Sequence, residues 1–87
     1  MPYGKKEKSE VPVLVQSVES SSLSAVGYDH ANLTLEVQFK NGGVYRYFNV
    51  PYGVVEQLMT ARSLGRYFAK EIRNRFRSRR MDAGGTM

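Results

Sequence analysis

Between residues 23 and 48 apolar and polar positions alternate. From residue 54 onward they recur at three- and four-residue spacing. The first pattern predicts strands and the second helices. Leu23 to Tyr28 reads as a strand, and Asp29-His30-Ala31-Asn32 as the turn that ends it. In the next strand, Leu33 to Phe39, the residues Leu33, Leu35, Val37 and Phe39 face one way, while Thr34, Glu36 and Gln38 face the other. Asn41-Gly42-Gly43 supplies residues that tolerate positive φ, a hairpin signal, and Val44 to Phe48 forms the third strand. Upstream, Val13-Leu14-Val15 is a short apolar run that predicts an extra strand or an extended arm, broken by Ser20-Ser21-Ser22.

Val50-Pro51 closes the sheet, with Pro51 suited to the first position of a helix, where its missing N–H is not needed. Val54, Val55, Leu58 and Met59 recur at helical spacing, and Gly53 predicts that this helix is short. Ser63 is the expected N-cap of a second, longer helix, in which Leu64, Phe68, Ile72 and Phe76 form one apolar stripe. On the opposite side, Arg66, Lys70, Arg73, Arg77 and Arg80 follow at spacings of four, three, four and three. They project within roughly 80° of one another. Arg75 falls on the apolar side and must snorkel, unless the helix leaves the core there.

These elements make an α+β domain: a three-stranded antiparallel meander, with an extra short N-terminal strand as an option, packed against two C-terminal helices. Residues 1–12 and 79–87 read as disordered tails around a domain spanning 13–78. Eighty-seven residues allow one domain, and the lack of cysteine leaves apolar packing to hold it together. Nothing approaches the roughly 20 apolar residues of a membrane span, nor a signal peptide. The chain is therefore expected to be soluble, intracellular and cytoplasmic.

The hairpin register decides where Tyr45, Arg46 and Tyr47 point. A two- or four-residue loop turns both tyrosines away from the Leu35-Val37-Phe39 face and drives Arg46 into the core. A three-residue loop puts the tyrosines on that face and leaves Arg46 outside, near Glu36 or Gln38. Burying an unpaired guanidinium is costly. The three-residue loop is therefore expected, with the tyrosines packed mainly against helix rather than open as a base-stacking platform.

Charge changes the picture because it is unevenly spread. Residues 1–59 carry five basic and six acidic groups, whereas residues 60–87 carry eight basic and two acidic. A local excess of this kind concerns partners rather than fold. Catalytic chemistry is poorly represented. His30 is the lone histidine and reads as a solvated turn residue. The carboxylates are scattered, so no metal site or carboxylate pair is legible. Ser20-Ser21-Ser22 suits backbone capping, Gly42-Gly43 lacks a phosphate-loop context, and Gly65 suits close packing. A non-enzyme without cofactor is expected.

Several segments together resemble the KTSC domain family. They are Ser20-Ser21-Ser22-Leu23, Gly27-Tyr28-Asp29, Leu35-Glu36-Val37-Gln38-Phe39 and Gly42-Gly43-Val44-Tyr45-Arg46-Tyr47. Val50-Pro51, Ala61-Arg62-Ser63-Leu64-Gly65-Arg66-Tyr67-Phe68 and Ile72-Arg73 complete the set. The most specific parts are the Tyr-x-Tyr pair, the Val-Pro and the Ser-x-Gly-x-Tyr-Phe. These domains are named for an extension at the C-terminus of some lysyl-tRNA synthetases, and they also occur as small stand-alone bacterial and phage proteins. The resemblance spans about residues 17–76 and implies the family's small α+β fold. It adds a suggestion of RNA binding, without a synthetase catalytic domain.

The basic face then becomes the leading candidate site. Arginine presents a planar fork that matches phosphate oxygens, and few acidic neighbours compete for it. Arg66, Lys70, Arg73 and Arg77 are the expected phosphate contacts, with Arg62 and Arg80 flanking and Arg46 and Lys40 contributing from the sheet. The expected partner is nucleic acid, RNA above DNA. The alternative is a protein-interaction or self-association module acting through a strand edge, the Val13-Leu14-Val15 arm or the basic face onto an acidic protein surface.

Overall fold

A meander of three strands leaves a row of unpaired N–H and C=O groups on each outer strand. In the computed structural model, which describes residues 12–82, two further strands take up both rows. The order is β1 (Val15–Ser17), β2 (Leu23–Asp29), β3 (Thr34–Phe39), β4 (Val44–Tyr47), then α1 (Tyr52–Thr60), α2 (Leu64–Glu71) and β5 (Ser78–Arg80). The strands lie in sequence order in one antiparallel sheet. The α+β class is as expected, but the sheet has five strands rather than three.

The three-residue hairpin loop is present. The Phe39 N–H donates to the Gly43 carbonyl at 2.8 Å, and the Gly42 N–H donates to the Phe39 carbonyl at 2.9 Å. Gly42 takes φ +99°, the left-handed position that this turn requires. The register that follows pairs Leu35 with Tyr47, Glu36 with Arg46 and Val37 with Tyr45. Cross-strand partners share a face. Leu35, Val37, Tyr45 and Tyr47 therefore lie together with Val26 and Tyr28, while Gly27, Glu36, Arg46 and Arg79 form a row on the other side.

Both helices cover the first of these faces. Val55 and Leu58 of α1, Phe68 of α2 and Ile72 just beyond it pack with Leu23, Val26, Leu35, Val37, Tyr47 and Val50 into one core. Ser63 caps α2 as expected, its Oγ accepting from the Arg66 N–H at 3.2 Å. Pro51 stands at the N-cap of α1 rather than at its first helical residue. Gly65 does make a close approach, but to the serine turn: a Cβ there would lie 2.6 Å from Ser22 Oγ. Ser20 Oγ in turn accepts from the N–H groups of Ser22 and Leu23, the backbone role expected of that run.

Three expectations are corrected. Leu33 does not belong to the strand: it adopts φ +52° in the turn, is exposed, and its carbonyl accepts from the Val50 N–H. The N-terminal strand begins at Val15, because a tight fit against Gly27 sets where the edge can pair. The third correction is the largest. α2 ends at Glu71, residues 72–75 turn, and the chain returns as β5 beside β4.

The sequence past Ile72 explains that return. No apolar residue follows Phe76 at helical spacing, so a longer helix would bury nothing. Its like-charged pairs four apart, Arg73 with Arg77 and Arg75 with Arg79, would also repel. As a strand the same residues satisfy the open edge of β4, with Phe48 N–H donating to the Arg77 carbonyl and Met81 N–H to the Val44 carbonyl. Ordered structure thus runs past the expected boundary at 78 to Asp82. The rest of the two expected tails, residues 1–11 and 83–87, lies outside the described residues.

Candidate nucleic-acid interface

Because the chain reverses after Glu71, the expected basic stripe does not exist as one helix face. Arg62, Arg66 and Lys70 remain together: all three are exposed and line a shallow depression beside Tyr67 and Glu71. Arg77 is exposed just ahead of β5, and by strand alternation it falls on the side of Arg79, away from the core face. Lys40 is exposed at the hairpin tip.

Arg46 is the clearest departure from expectation. It points away from the core, as the register argument required, yet it is only 7% exposed. Its Nε donates to Glu36 Oε1 at 2.8 Å, and Gln38 Nε2 donates to the other carboxylate oxygen at 3.0 Å. A buried guanidinium bound to a buried carboxylate holds β3 to β4 and presents nothing to a ligand. Arg46 therefore leaves the set of phosphate contacts.

Arg73 and Arg80 are brought together instead, by a route that runs through the strands. The register of β5 sets Ser78 opposite Tyr47 and Arg80 opposite Tyr45, so both side chains stand on the tyrosine face. The turn after α2 delivers Arg73 to the same place. Phe39, Asn41, Gly43, Tyr45, Tyr47, Arg73, Ser78 and Arg80 enclose a cleft of about 400 Å³.

The floor of this cleft is aromatic. The Tyr45 and Tyr47 rings lie 6.4 Å apart and nearly parallel at 29°, while Phe39 meets Tyr45 edge-on at 5.7 Å. Tyr47 is buried against Phe68, as the packing argument predicted. Tyr45 is only half-buried. The Arg80 guanidinium stands 5.8 Å over the Tyr45 ring, and that of Arg73 5.7 Å over Phe68.

The electrostatics divide the two arginines. Asp82 accepts from Arg80 Nε at 3.1 Å and Nη2 at 3.2 Å, and from the Val44 N–H at 2.9 Å. These bonds, led by the one from Arg80, hold the Asp82 carboxyl down at about 2, and the same pair raises the pKa of Arg80. Arg73 is exposed and has no carboxylate partner among the described residues. Burial pushes the Tyr47 hydroxyl up, while the charge of Arg73 acts in the opposite direction.

Sequence reasoning missed Ser78 and Asn41 as lining residues and placed Tyr45 mainly in packing against helix. The available signal was the run from Arg75 to Arg80, where Phe76, Ser78 and Arg80 alternate with Arg75, Arg77 and Arg79. That is a strand's period, and it carries Ser78 and Arg80 to one side. His30 is exposed in its turn as expected, though its ring also meets Tyr28 and Tyr52, each at 4.8 Å. Among the described residues no helix is long and apolar enough to cross a membrane.

Comparison with known proteins places this geometry. A crystal structure of a KTSC domain protein from Yersinia pestis superposes with a TM-score of 0.76 at 38% identity, covering 79% of this chain and 97% of that one. A protein from Tsukamurella paurometabola is 41% identical over 64 residues, which is 74% of this chain and 96% of that relative. A lysine–tRNA ligase from a Nostoc species is 41% identical over 59 residues, which is 68% of this chain but only 10% of the ligase. The KTSC domain family model matches residues 19–76, so the likeness spans the sheet from β2 to β4, both helices and the turn that carries Arg73. With the family model covering most of the chain, and the Tsukamurella and Yersinia proteins covered nearly end to end, the protein belongs to the KTSC domain family.

Proposed function

We propose that this domain is a non-catalytic nucleic-acid-binding module with a preference for RNA. The observation that carries the reading is the convergence of Arg73 and Arg80, from separate elements, on a cleft floored by aromatic rings. Guanidinium groups suit phosphate oxygens, and the partly exposed rings of Phe39 and Tyr45 suit bases. Arg62, Arg66 and Lys70 extend the positive surface along α2, with Arg77 beside β5. The occurrence of a similar segment in a lysine–tRNA ligase favours RNA over DNA as the partner.

Fluorescence-anisotropy titrations with single-stranded RNA, duplex RNA and duplex DNA at several salt concentrations test the reading. The expected result is binding that weakens steeply with salt, the logarithmic slope flattening by about one for each phosphate contact removed. Simultaneous charge reversal at Arg66, Lys70, Arg73 and Arg77 abolishes it. Intact binding in that variant, or none by the parent protein at low salt, rejects the reading.

A second reading rests on the other end of the sheet. Leu14 is 95% exposed and borders a groove of about 300 Å³ shared with Val15, Tyr28, Tyr52, Val55 and Met59. β1 there is an edge strand of three residues, so a protein partner docking on this groove is the rival reading. It takes over if no nucleic acid binds.

A further inference from the structure

We infer that the cleft between β5 and the turn after α2 seats a single unpaired nucleotide, so that the domain selects single-stranded nucleic acid over duplex. The inference rests on the nucleic-acid reading above and specifies what its central site takes.

Size and shape are the first argument. At about 400 Å³ the cleft falls within the roughly 300–1,000 Å³ of small-ligand sites. It is a local concavity rather than a groove that follows a backbone for several residues. The walls are β5 with its partner strand on one side and the turn after α2 on the other. A rigid duplex meets such a concavity only with its outer phosphates. Its bases are stacked inside the helix and cannot reach the floor.

The lining chemistry is the second argument. Phe39 and Tyr45 are each partly exposed, and the Arg80 guanidinium carbon stands 5.8 Å from the centre of the Tyr45 ring. Unstacked bases are held by stacking on aromatic side chains or on arginine guanidinium groups. Around them stand hydrogen-bonding groups from Ser78, Asn41 and the tyrosine hydroxyls, with no acidic residue in the lining. The nearby carboxylate, Asp82, is engaged with Arg80 and the Val44 N–H. An anionic phosphate at Arg73 therefore meets no opposing charge within the cleft.

The contrast with the outer surface of α2 is the third argument. The depression between Arg62, Arg66 and Lys70 carries Tyr67 and Glu71 but no ring pair, so it provides charge without a stacking floor. Affinity for any polyanion is expected from the α2 surface, and discrimination between single strand and duplex from the cleft.

The test uses the full chain with a fluorescein-labelled 12-nucleotide RNA lacking self-complementarity, and with the duplex formed from it and its complement. The expected result is single-strand binding about tenfold tighter than duplex binding. Tyr45→Leu and Arg73→Gln each weaken the single-strand complex by about tenfold and leave the duplex complex within about twofold. Arg73 is exposed, so Arg73→Gln carries the test even if Tyr45→Leu proves unstable by thermal denaturation. A 5-iodouridine placed in the RNA is expected to photo-cross-link to Tyr45. Equal affinity for the two forms, with single-strand binding indifferent to Arg73→Gln, overturns the inference while the nucleic-acid reading stands. Failure of both RNAs to bind overturns the two together.

Discussion

The two edges of the sheet are built from the same kind of piece and end in opposite chemistry. β1 and β5 are each three residues long and each pairs antiparallel with a strand of the central meander. The β1 edge adjoins a groove of Leu14, Val15, Tyr28, Tyr52, Val55 and Met59. The β5 edge adjoins the cleft of Tyr45, Tyr47, Arg73, Ser78 and Arg80. Backbone pairing is therefore what recruits both edges, and side chains alone decide what each can bind. An edge is closed by whatever segment can reach it, so a short strand in a small domain can carry function at little cost to the fold.

The largest expected effect breaks what lies between the edges. Gly27, Glu36, Arg46 and Arg79 stand in one row across β2 to β5, and the Glu36–Arg46 pair at its centre is buried on both sides. Glu36→Ala removes the carboxylate 2.8 Å from a guanidinium that is 7% exposed. Taking one partner from a buried ion pair costs about 3 kcal/mol or more. Chemical denaturation is expected to show that loss in a single transition, with both edges released together. A loss under about 1 kcal/mol would show that water reaches Arg46 readily and that the row does not couple the edges.

A smaller effect separates the edges. A Cβ on Gly27 would press on the Leu14 carbonyl oxygen, a backbone atom, and lie 2.8 Å from Val15 Cγ1. Gly27→Ala therefore pushes β1 off β2, at about 2 kcal/mol for an overpacked site. The amide protons of Gln16 and Val18, which face β2, are expected to lose protection from hydrogen exchange, while those of Phe48 and Met81, which bond across β4 and β5, keep theirs. If the β5 side loosened equally, the edges would not be independent.

The difference between the edges also marks how much the sequence could tell. The central meander was legible because β3 alternates cleanly and its turns are signposted: Asp29, whose carboxylate accepts from the Ala31 and Asn32 N–H groups, and Asn41-Gly42. The hairpin register followed from a single energetic choice about Arg46, and the structure agrees with it. The same choice set Arg46 near Glu36 or Gln38 on the outer side, but not the burial of its pair with Glu36. The Ser63 cap and the apolar stripe as far as Ile72 were legible too. What failed was β5, because arginine-rich segments fit a solvated helix or an edge strand equally well by local pattern. A long-range demand, the open edge of β4, decided the matter. The placement of the candidate residues changed with it: Arg73 and Arg80, set on one helix face by their spacing, line a cleft instead.

The smallest effect sharpens the β5 side alone and is read through pH. Asp82 binds Arg80 and the Val44 N–H, and its carboxyl is held at about 2 against an ordinary 3.8. A carboxyl with a lower pKa in the folded chain than in the unfolded one stabilises the fold in its ionised form. The contribution is whole above about pH 4, shrinks as pH falls from 3.8 towards 2, and is gone once Asp82 is protonated in both states. Asp82 is exposed, so the consequence is local. On acidification the Val44 amide resonance is expected to shift with a midpoint near 2, and hydrogen exchange at Met81 to quicken first. Asp82→Ala removes that midpoint and releases Arg80 from its clasp. If the cleft needs Arg80 held over Tyr45, this variant weakens single-stranded RNA binding at neutral pH despite adding positive net charge. If it binds more tightly, charge alone governs the β5 edge, and its contrast with the β1 edge is one of sign rather than of shape.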